Sequence, residues 1–436
     1  KGAFSLMVYC LTRMILKNSL ILAIFSILSV LLGVVRDRLL ATNVGIGETL
    51  DIYNAAFRLP DLLYAFSLAF VTSATVVPFL TVENKKGEIE DPRKKLSSIF
   101  LFIGVGLTLL GTLLAVSMPY YARFVVPGFT DTQLEIFIYV SRILLIQPIL
   151  LGLTSLISCF AQLRNHFVLY GVSPLGYSFG VILGILYLYP AYGVKGLIYG
   201  VIFGAILSFL IQLFSLRGAK IEETLFHFSW KHIHELVSLG LPRTGLNITT
   251  QVRVIVFTGF ATVLGPGVLS SYLFAQRITD AVVQIIQQSV TSASIPVLSR
   301  DVVEHKILEY KGTVKRYVLA LGSIGVLVSI VLYLLQNEII FILYGESAQN
   351  SLIAFFLVGF LLILPLHMMT GYLVISLYSM KDTKSVFFAG FVSSVLGVVT
   401  AYVTLPQGTI SLVYGVLITF ISSFLIVFFL YSRKRL

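Results

Sequence analysis

Stretches of about twenty apolar residues recur along the 436-residue chain, and this recurrence limits its fold more than any other feature. A hydrocarbon core about 30 Å thick is crossed by about 20 residues of helix. Twelve stretches of that kind can be read, at approximately 19–42, 51–81, 97–120, 135–160, 167–189, 195–216, 236–263, 268–299, 313–335, 350–380, 386–405 and 409–431. Charged or Pro/Gly-rich breaks bound them. Only 12% of the residues are charged, against about 25% in a soluble domain, so no soluble surface can be built. The expected fold class is an all-α polytopic membrane protein with about twelve transmembrane helices. Pro60, Pro148, Pro174, Pro242 and Pro365 interrupt several stretches and predict kinks, whose freed carbonyls need partners inside the protein.

The net charge of +11 would suggest nucleic acid as partner in a soluble protein. Here the basic residues sort by loop instead. With the N-terminus in the cytoplasm, twenty-two Lys and Arg fall on inside segments, from Lys1, Arg13 and Lys17 through to Arg433, Lys434 and Arg435. Only Arg123 and Lys195 fall outside. The positive-inside rule then places both termini in the cytoplasm, and nucleic acid is not expected. Residues 1–18 lack the cleavage pattern of a signal peptide and read as a cytoplasmic segment. Cys10 and Cys159 both lie in apolar surroundings, so no disulfide framework, metal site or other cofactor is expected.

Two pieces of sequence recur half a chain apart. Leu197-Ile198-Tyr199-Gly200-Val201-Ile202 is echoed by Leu412-Val413-Tyr414-Gly415-Val416-Leu417, and Thr72 to Pro78 by Thr291 to Pro296. Both echoes fall at equivalent places in two sets of six spans. An even number of spans gives both sets the same polarity, hence parallel repeats about an axis along the membrane normal. The expected organisation is an N-lobe at 19–216, a basic linker at 217–235, a C-lobe at 236–431 and a cytoplasmic tail at 432–436. The two six-helix lobes would enclose a central cavity.

Seven basic residues remain inside the spans, all arginine: Arg36, Arg38, Arg58, Arg142, Arg243, Arg253 and Arg277. Each charge at membrane depth costs at least about 2.5–3.5 kcal/mol and is kept only beside water, a partner or a ligand. The acids at that depth are Asp37, Asp51, Asp61 and Asp280, leaving the interior net positive. Arg38, Arg142 and Arg243 lie near span ends, where they can snorkel or pair structurally. Arg277 falls about 13–15 Å into its span, near the midplane, at about 1.5 Å per residue. Arg253 is also well inside its span. Asp51 and Arg58, seven apart, are expected on one helix face, with Asp61 three further on. Asp37, Asp61 and Asp280 are candidate ion-pair partners for Arg36, Arg58 and Arg277. A guanidinium fork binds phosphate or carboxylate oxygens in pairs and stays charged. Several in one cleft suit an anion rich in oxygens, such as a diphosphate, whose acyl or prenyl tail stays in the bilayer.

The block Gly33-Val34-Val35-Arg36-Asp37, then Leu50-Asp51 and Phe57-Arg58-Leu59-Pro60-Asp61-Leu62-Leu63, then Val77-Pro78, resembles the first two helices of the MurJ (MviN-type) lipid II flippases. Further matches follow in order: Pro127-Gly128-Phe129, Leu163 to Phe167 with Pro174, Pro242-Arg243-Thr244, Ala275-Gln276-Arg277 and Ile295 to Ser299. That family belongs to the multidrug/oligosaccharidyl-lipid/polysaccharide exporter superfamily. The resemblance implies two six-helix lobes, a cationic central cavity and alternating access. It further implies movement of undecaprenyl-diphosphate-linked peptidoglycan precursor, lipid II, to the outer leaflet of the bacterial cytoplasmic (inner) membrane. Position by position it carries functional charge onto Arg36, Asp51, Arg58 and Arg277. The chain departs from the family at Val30, where many members have arginine, at Tyr64 and Ala65, and at Ala69-Phe70. It has twelve spans where some members have fourteen. A carboxylate-rich sodium site of some members' second lobe has no counterpart, Asp280 being the only deep acid there.

The expected substrate-binding or gating residues are thus Arg36, Asp51, Arg58, Arg253 and Arg277. The expected partners are a lipid-linked diphosphate and membrane lipids, and the expected state is a monomer. A flippase for another polyprenyl-diphosphate-linked oligosaccharide, such as an O-antigen precursor, is the alternative. A cation-coupled drug exporter would want an acidic cavity, the opposite sign. An enzyme is not expected: the outer loops are short and carry no His/Asp/Glu cluster or phosphate-cradling glycine loop. His232 and His234 read as solvated.

Overall fold

The computed structural model describes residues 2–70, 91–218, 227–304, 306–380 and 382–433. Among these residues the chain is helical, with no strand. The helices are α1 (Gly2–Leu39), α2 (Glu48–Ala56), α3 (Arg58–Phe70), α4 (Pro92–Val125), α5 (Asp131–Leu144), α6 (Ile146–Leu163), α7 (Phe167–Leu183) and α8 (Val194–Leu213). They continue with α9 (Trp230–Val263), α10 (Val268–Val303), α11 (Ile307–Leu334), α12 (Gln336–Tyr344), α13 (Asn350–Ser379), α14 (Thr383–Val403) and α15 (Ile410–Ser432). The echo partner Thr72 to Pro78 and the basic residues Lys85, Lys86 and Lys220 lie outside the described residues, as do Lys381, Lys434 and Arg435.

Nine helical stretches among the described residues are long and apolar enough to cross a membrane. The other three expected spans, at 51–81, 236–263 and 268–299, include residues or side chains outside those described. α9 and α10 run for 34 and 36 residues, about 50 Å at the α-helical rise and long enough to cross a bilayer. These are the helices that bear Arg253, Arg277 and Asp280. α1 begins at Gly2, so residues 2–18 are helical and run into the first apolar span, which starts at Leu20.

The second expected span is broken. α2 ends at Ala56 and α3 begins at Arg58, with a turn at Phe57. The cause is Pro60, which has no N–H for the carbonyl of Ala56 four residues back and whose ring crowds it. Asp51 and Arg58 therefore stand on two successive helices, contrary to the single face that their spacing suggests. The same rule acts at Pro148, where α5 stops at Leu144 and α6 starts at Ile146.

Elsewhere the helix runs on through proline and a side chain takes the freed carbonyl. Pro365 lies inside α13, and the hydroxyl of Ser329 donates to the carbonyl of Leu361 at 2.9 Å. Pro119 lies inside α4, and Nε of Arg142 donates to the carbonyl of Ala115 at 2.9 Å. Arg142 thus has a backbone-repair role. Both acceptors sit four residues before their proline, at the place where the ladder bond is lost.

Backbone packing divides the chain into two compact units. The first comprises Lys1–Val44, Leu59–Met118 and Phe137–Leu241, the second Gly45–Arg58, Pro119–Ile136 and Pro242–Leu436. In the first unit α8 packs on α7 and α6, and α7 on α1. Gly180 and Gly184 on one side meet Gly204 and Gly200 on the other, and a Cβ on Gly180 would overlap the backbone of Gly204. Small residues every fourth position let membrane helices approach this closely. Two π-helical turns, Leu40–Val44 and Gly184–Leu188, also touch each other. In the second unit α14 packs on α15, while α13 packs on α10, α11 and α15. A Cβ on Gly415 would stand 2.7 Å from Cβ of Ala401 and 2.9 Å from the carbonyl oxygen of Gly397. Gly200 and Gly415, the glycines of the sequence echo, therefore each form the close contact of a helix with its predecessor.

Candidate functional site

The second unit gathers most of the charged residues singled out in the sequence. α10 begins at an N-cap, Gly267, whose φ of 80° is left-handed and natural only to glycine. A glycine has no side chain to satisfy the first N–H groups of its helix, and Asp51 does so from α2. Its Oδ2 accepts from the N–H of Gly267 at 2.6 Å. Its Oδ1 accepts from the N–H of Ser270 at 2.8 Å and from the hydroxyl of Ser270 at 2.5 Å. Asp51 is only 2% exposed. A buried carboxylate is tolerated here because it meets three donors and the positive end of the α10 dipole.

One turn along α2, Asn54 donates from Nδ2 to Oγ of Ser270 at 3.1 Å. Its Oδ1 accepts from a terminal guanidinium nitrogen of Arg277 at 3.4 Å. Arg277 also lies 5.4 Å from the ring centroid of Phe274, one turn earlier on α10. The result is a continuous polar chain from Asp51 through Ser270 and Asn54 to Arg277. Phe274 is held in turn by Tyr344, whose ring stacks on it at 4.2 Å and whose hydroxyl donates to its carbonyl at 2.9 Å. Asn54 was not among the residues singled out from sequence; the signal available was its place one turn after Asp51.

Arg253 projects from α9 and lines a small pocket with Tyr272, Gln276, Asp280 and His367. Arg58, Arg253 and Asp280 all lie within electrostatic reach of the buried Tyr272. Among the described residues no ion pair joins Asp280 to Arg253 or to Arg277. The pairing of Arg277 with Asp280 suggested by their spacing is replaced by the contact with Asn54. The structure thus brings Arg58, Arg253, Arg277, Asp51 and Asp280 into one unit.

Arg36 belongs to the first unit and is an ion pair with its neighbour Asp37, at 2.9 Å from a terminal nitrogen and 3.0 Å from Nε. Both are half-buried. Asp61 lies on α3 and is half-buried too. Arg243 falls within α9, and its side chain lies outside the described residues. Tyr64, a departure position, shares a hydrogen bond with Ser155 at 3.3 Å. His232 differs from expectation: it is buried, with Nδ1 3.1 Å from the hydroxyl of Ser98. Among the described residues no three His, Cys, Asp or Glu stand together as a metal would require.

A family model described as "Lipid II flippase MurJ" matches residues 40–436. The chain belongs to the MurJ family. A probable lipid II flippase MurJ of Rhizobium tropici is 25% identical over 367 residues, covering 81% of this chain and 68% of the relative. The corresponding Vibrio cholerae protein is 23% identical over 412 residues, covering 89% and 77%. Among solved structures, a lipid II flippase MurJ in an inward closed conformation aligns with a TM-score of 0.77 at 20% identity, over 95% of this chain and 87% of that one. An inward-facing multidrug resistance MATE family transporter of the MOP superfamily aligns with a TM-score of 0.75 at 16% identity, covering 93% and 94%. The MurJ family match spans every charged residue of the second unit described above, while Arg36 lies just before its start.

Proposed function

We propose that this MurJ-family chain is a flippase, not an enzyme. It would carry lipid II, the undecaprenyl-diphosphate-linked peptidoglycan precursor, from the inner to the outer leaflet of the bacterial cytoplasmic membrane by alternating access. The observation that carries the reading is the charge balance of the second unit: Arg58, Arg253 and Arg277 gather there while Asp51 is committed to capping α10. What is left is a positive surplus, suited to diphosphate oxygens. In this reading Arg58 and Arg277 take the phosphates, and Arg36 on α1 is a further candidate ligand. The two units act as lobes of a monomer with both termini in the cytoplasm, and neither metal nor cofactor takes part.

The test is complementation in cells depleted of their own flippase. Arg58→Ala and Arg277→Ala are expected to abolish growth at unchanged protein level, and retained growth overturns the assignment. The departures at Val30, Tyr64 and Ala65 favour one other cargo, a different polyprenyl-diphosphate-linked oligosaccharide. Native mass spectrometry with competing undecaprenyl-diphosphate lipids separates the two.

A further inference from the structure

Within the second unit a cavity of about 210 Å3 opens between α9, α13, α14 and α15, next to the small pocket of Asp280. Arg253 reaches into both. No carboxylate is among the described residues that line the larger cavity. The other polar groups are Thr250 from α9, His367 and Thr370 from α13, Ser393 and Ser394 from α14, and Thr419 and Ser423 from α15. Ser393 and Thr419 donate their hydroxyl protons to carbonyls of their own helices, at 2.6 and 2.8 Å. Ser394 and Ser423 make no such bond among the described residues, and neither does the guanidinium of Arg253 or the ring of His367. Arg253 is close to the ring of Phe257, at 5.9 Å, and His367 to that of Phe420, at 4.5 Å.

Unspent donors therefore converge on a chamber that carries a permanent positive charge and no acid in its own lining, while Asp280 stands in the adjoining pocket that Arg253 also reaches. A bare cation is repelled by such a site, and a guanidinium at membrane depth is costly without a counter-charge. We propose that this cavity binds a small inorganic anion of the chloride class, held by the fork of Arg253 and the hydroxyls of Ser394 and Ser423. Bound there, the anion neutralises Arg253 inside its own unit and leaves Arg58 and Arg277 as the charges open to cargo. The site stands apart from the flippase reading, since anion binding can be measured without any lipid transport.

The test is thermal unfolding of the purified full chain, titrated with sodium chloride against sodium gluconate at constant ionic strength. A ligand that binds only the folded state raises the midpoint with its concentration, so a saturable rise specific to chloride is expected. Arg253→Gln removes a charge-assisted bond and should raise the half-saturating concentration about ten-fold or more. Ser394→Ala with Ser423→Ala should raise it several-fold while Arg277→Gln leaves it in place. Diffraction from bromide-soaked wild-type crystals, which needs no variant, should give an anomalous peak beside Arg253. Equal midpoints in chloride and gluconate overturn the proposal, as does stabilisation by inorganic phosphate alone, which would make the cavity a phosphate site instead.

Discussion

The carboxylate of Asp51 accepts the backbone N–H of Gly267 at 2.6 Å, across 216 residues of chain. Asn54 meets Ser270 at the same separation. The separation nearly equals the offset of the internal echoes, and the starts of α2 and α10 pack against each other. One start supplies an acid and the other a glycine cap. The two helix starts form a complementary pair, and Arg277 is positioned at its far end.

Replacement of Asp51 should therefore register first as lost stability. Asp51→Ala removes an N-cap and leaves buried donors unpaired, at a cost of about 1–3 kcal/mol. Asp51→Asn retains acceptor capacity and should lie between the variant and the parent. Thermal unfolding in detergent checks the order, and an unchanged midpoint for Asp51→Ala would remove the capping role.

Asn54→Ala should separate orientation from folding. It deletes the bond to Arg277 but leaves the Asp51 cap, so flipping should fall by more than the change in unfolding midpoint explains. Flipping measured in proteoliposomes at matched protein content decides; parental rates would show that Arg277 needs no support from Asn54.

Arg142→Ala and Ser329→Ala each orphan a carbonyl already freed by proline, at about 1–3 kcal/mol. Pairing Ser329→Ala with Pro365→Ala restores the ladder donor to Leu361. The double variant should regain stability that Ser329→Ala alone loses, and a double-variant cycle of unfolding midpoints measures the coupling.

Bulk at the echoed glycines should be far less tolerable. Gly200→Leu and Gly415→Leu force apart helices whose backbones touch, and both should abolish folded, membrane-inserted protein. Size-exclusion profiles of a fluorescent fusion report the outcome. A monodisperse Gly415→Leu would show that α14 and α15 can separate.

At the start of α4, outside the membrane, the hydrogen bonds from Arg93 hold the carboxyl of Asp91 below the usual carboxylate range. A carboxyl lowered in the folded state stabilises above its unfolded pKa of about 3.9 and loses that contribution as pH falls through the lowered value. With the two side chains 30% and 28% exposed, solvent still screens the pair, and the effect should stay within about 1 kcal/mol. Asp91→Asn should flatten that part of a stability–pH profile below about pH 4.

Much of this protein is written in its sequence because the bilayer reads composition directly. Apolar runs of spanning length, the sorting of Lys and Arg, and arginines that no local acid cancels all act through transfer free energy, which depends on residue type alone. The resemblance around Arg36, Asp51 and Arg58 was legible as short strings of residues in a fixed order. Tertiary structure decided what each charge does. Asp51 is a cap, and Arg277 answers to Asn54 rather than Asp280. Arg142 mends a backbone broken by Pro119, and Arg253 faces a hydroxyl-lined chamber. Hydrogen bonds depend on a few tenths of an ångström and on direction, and they join residues up to 223 positions apart. No spacing along the chain encodes such geometry.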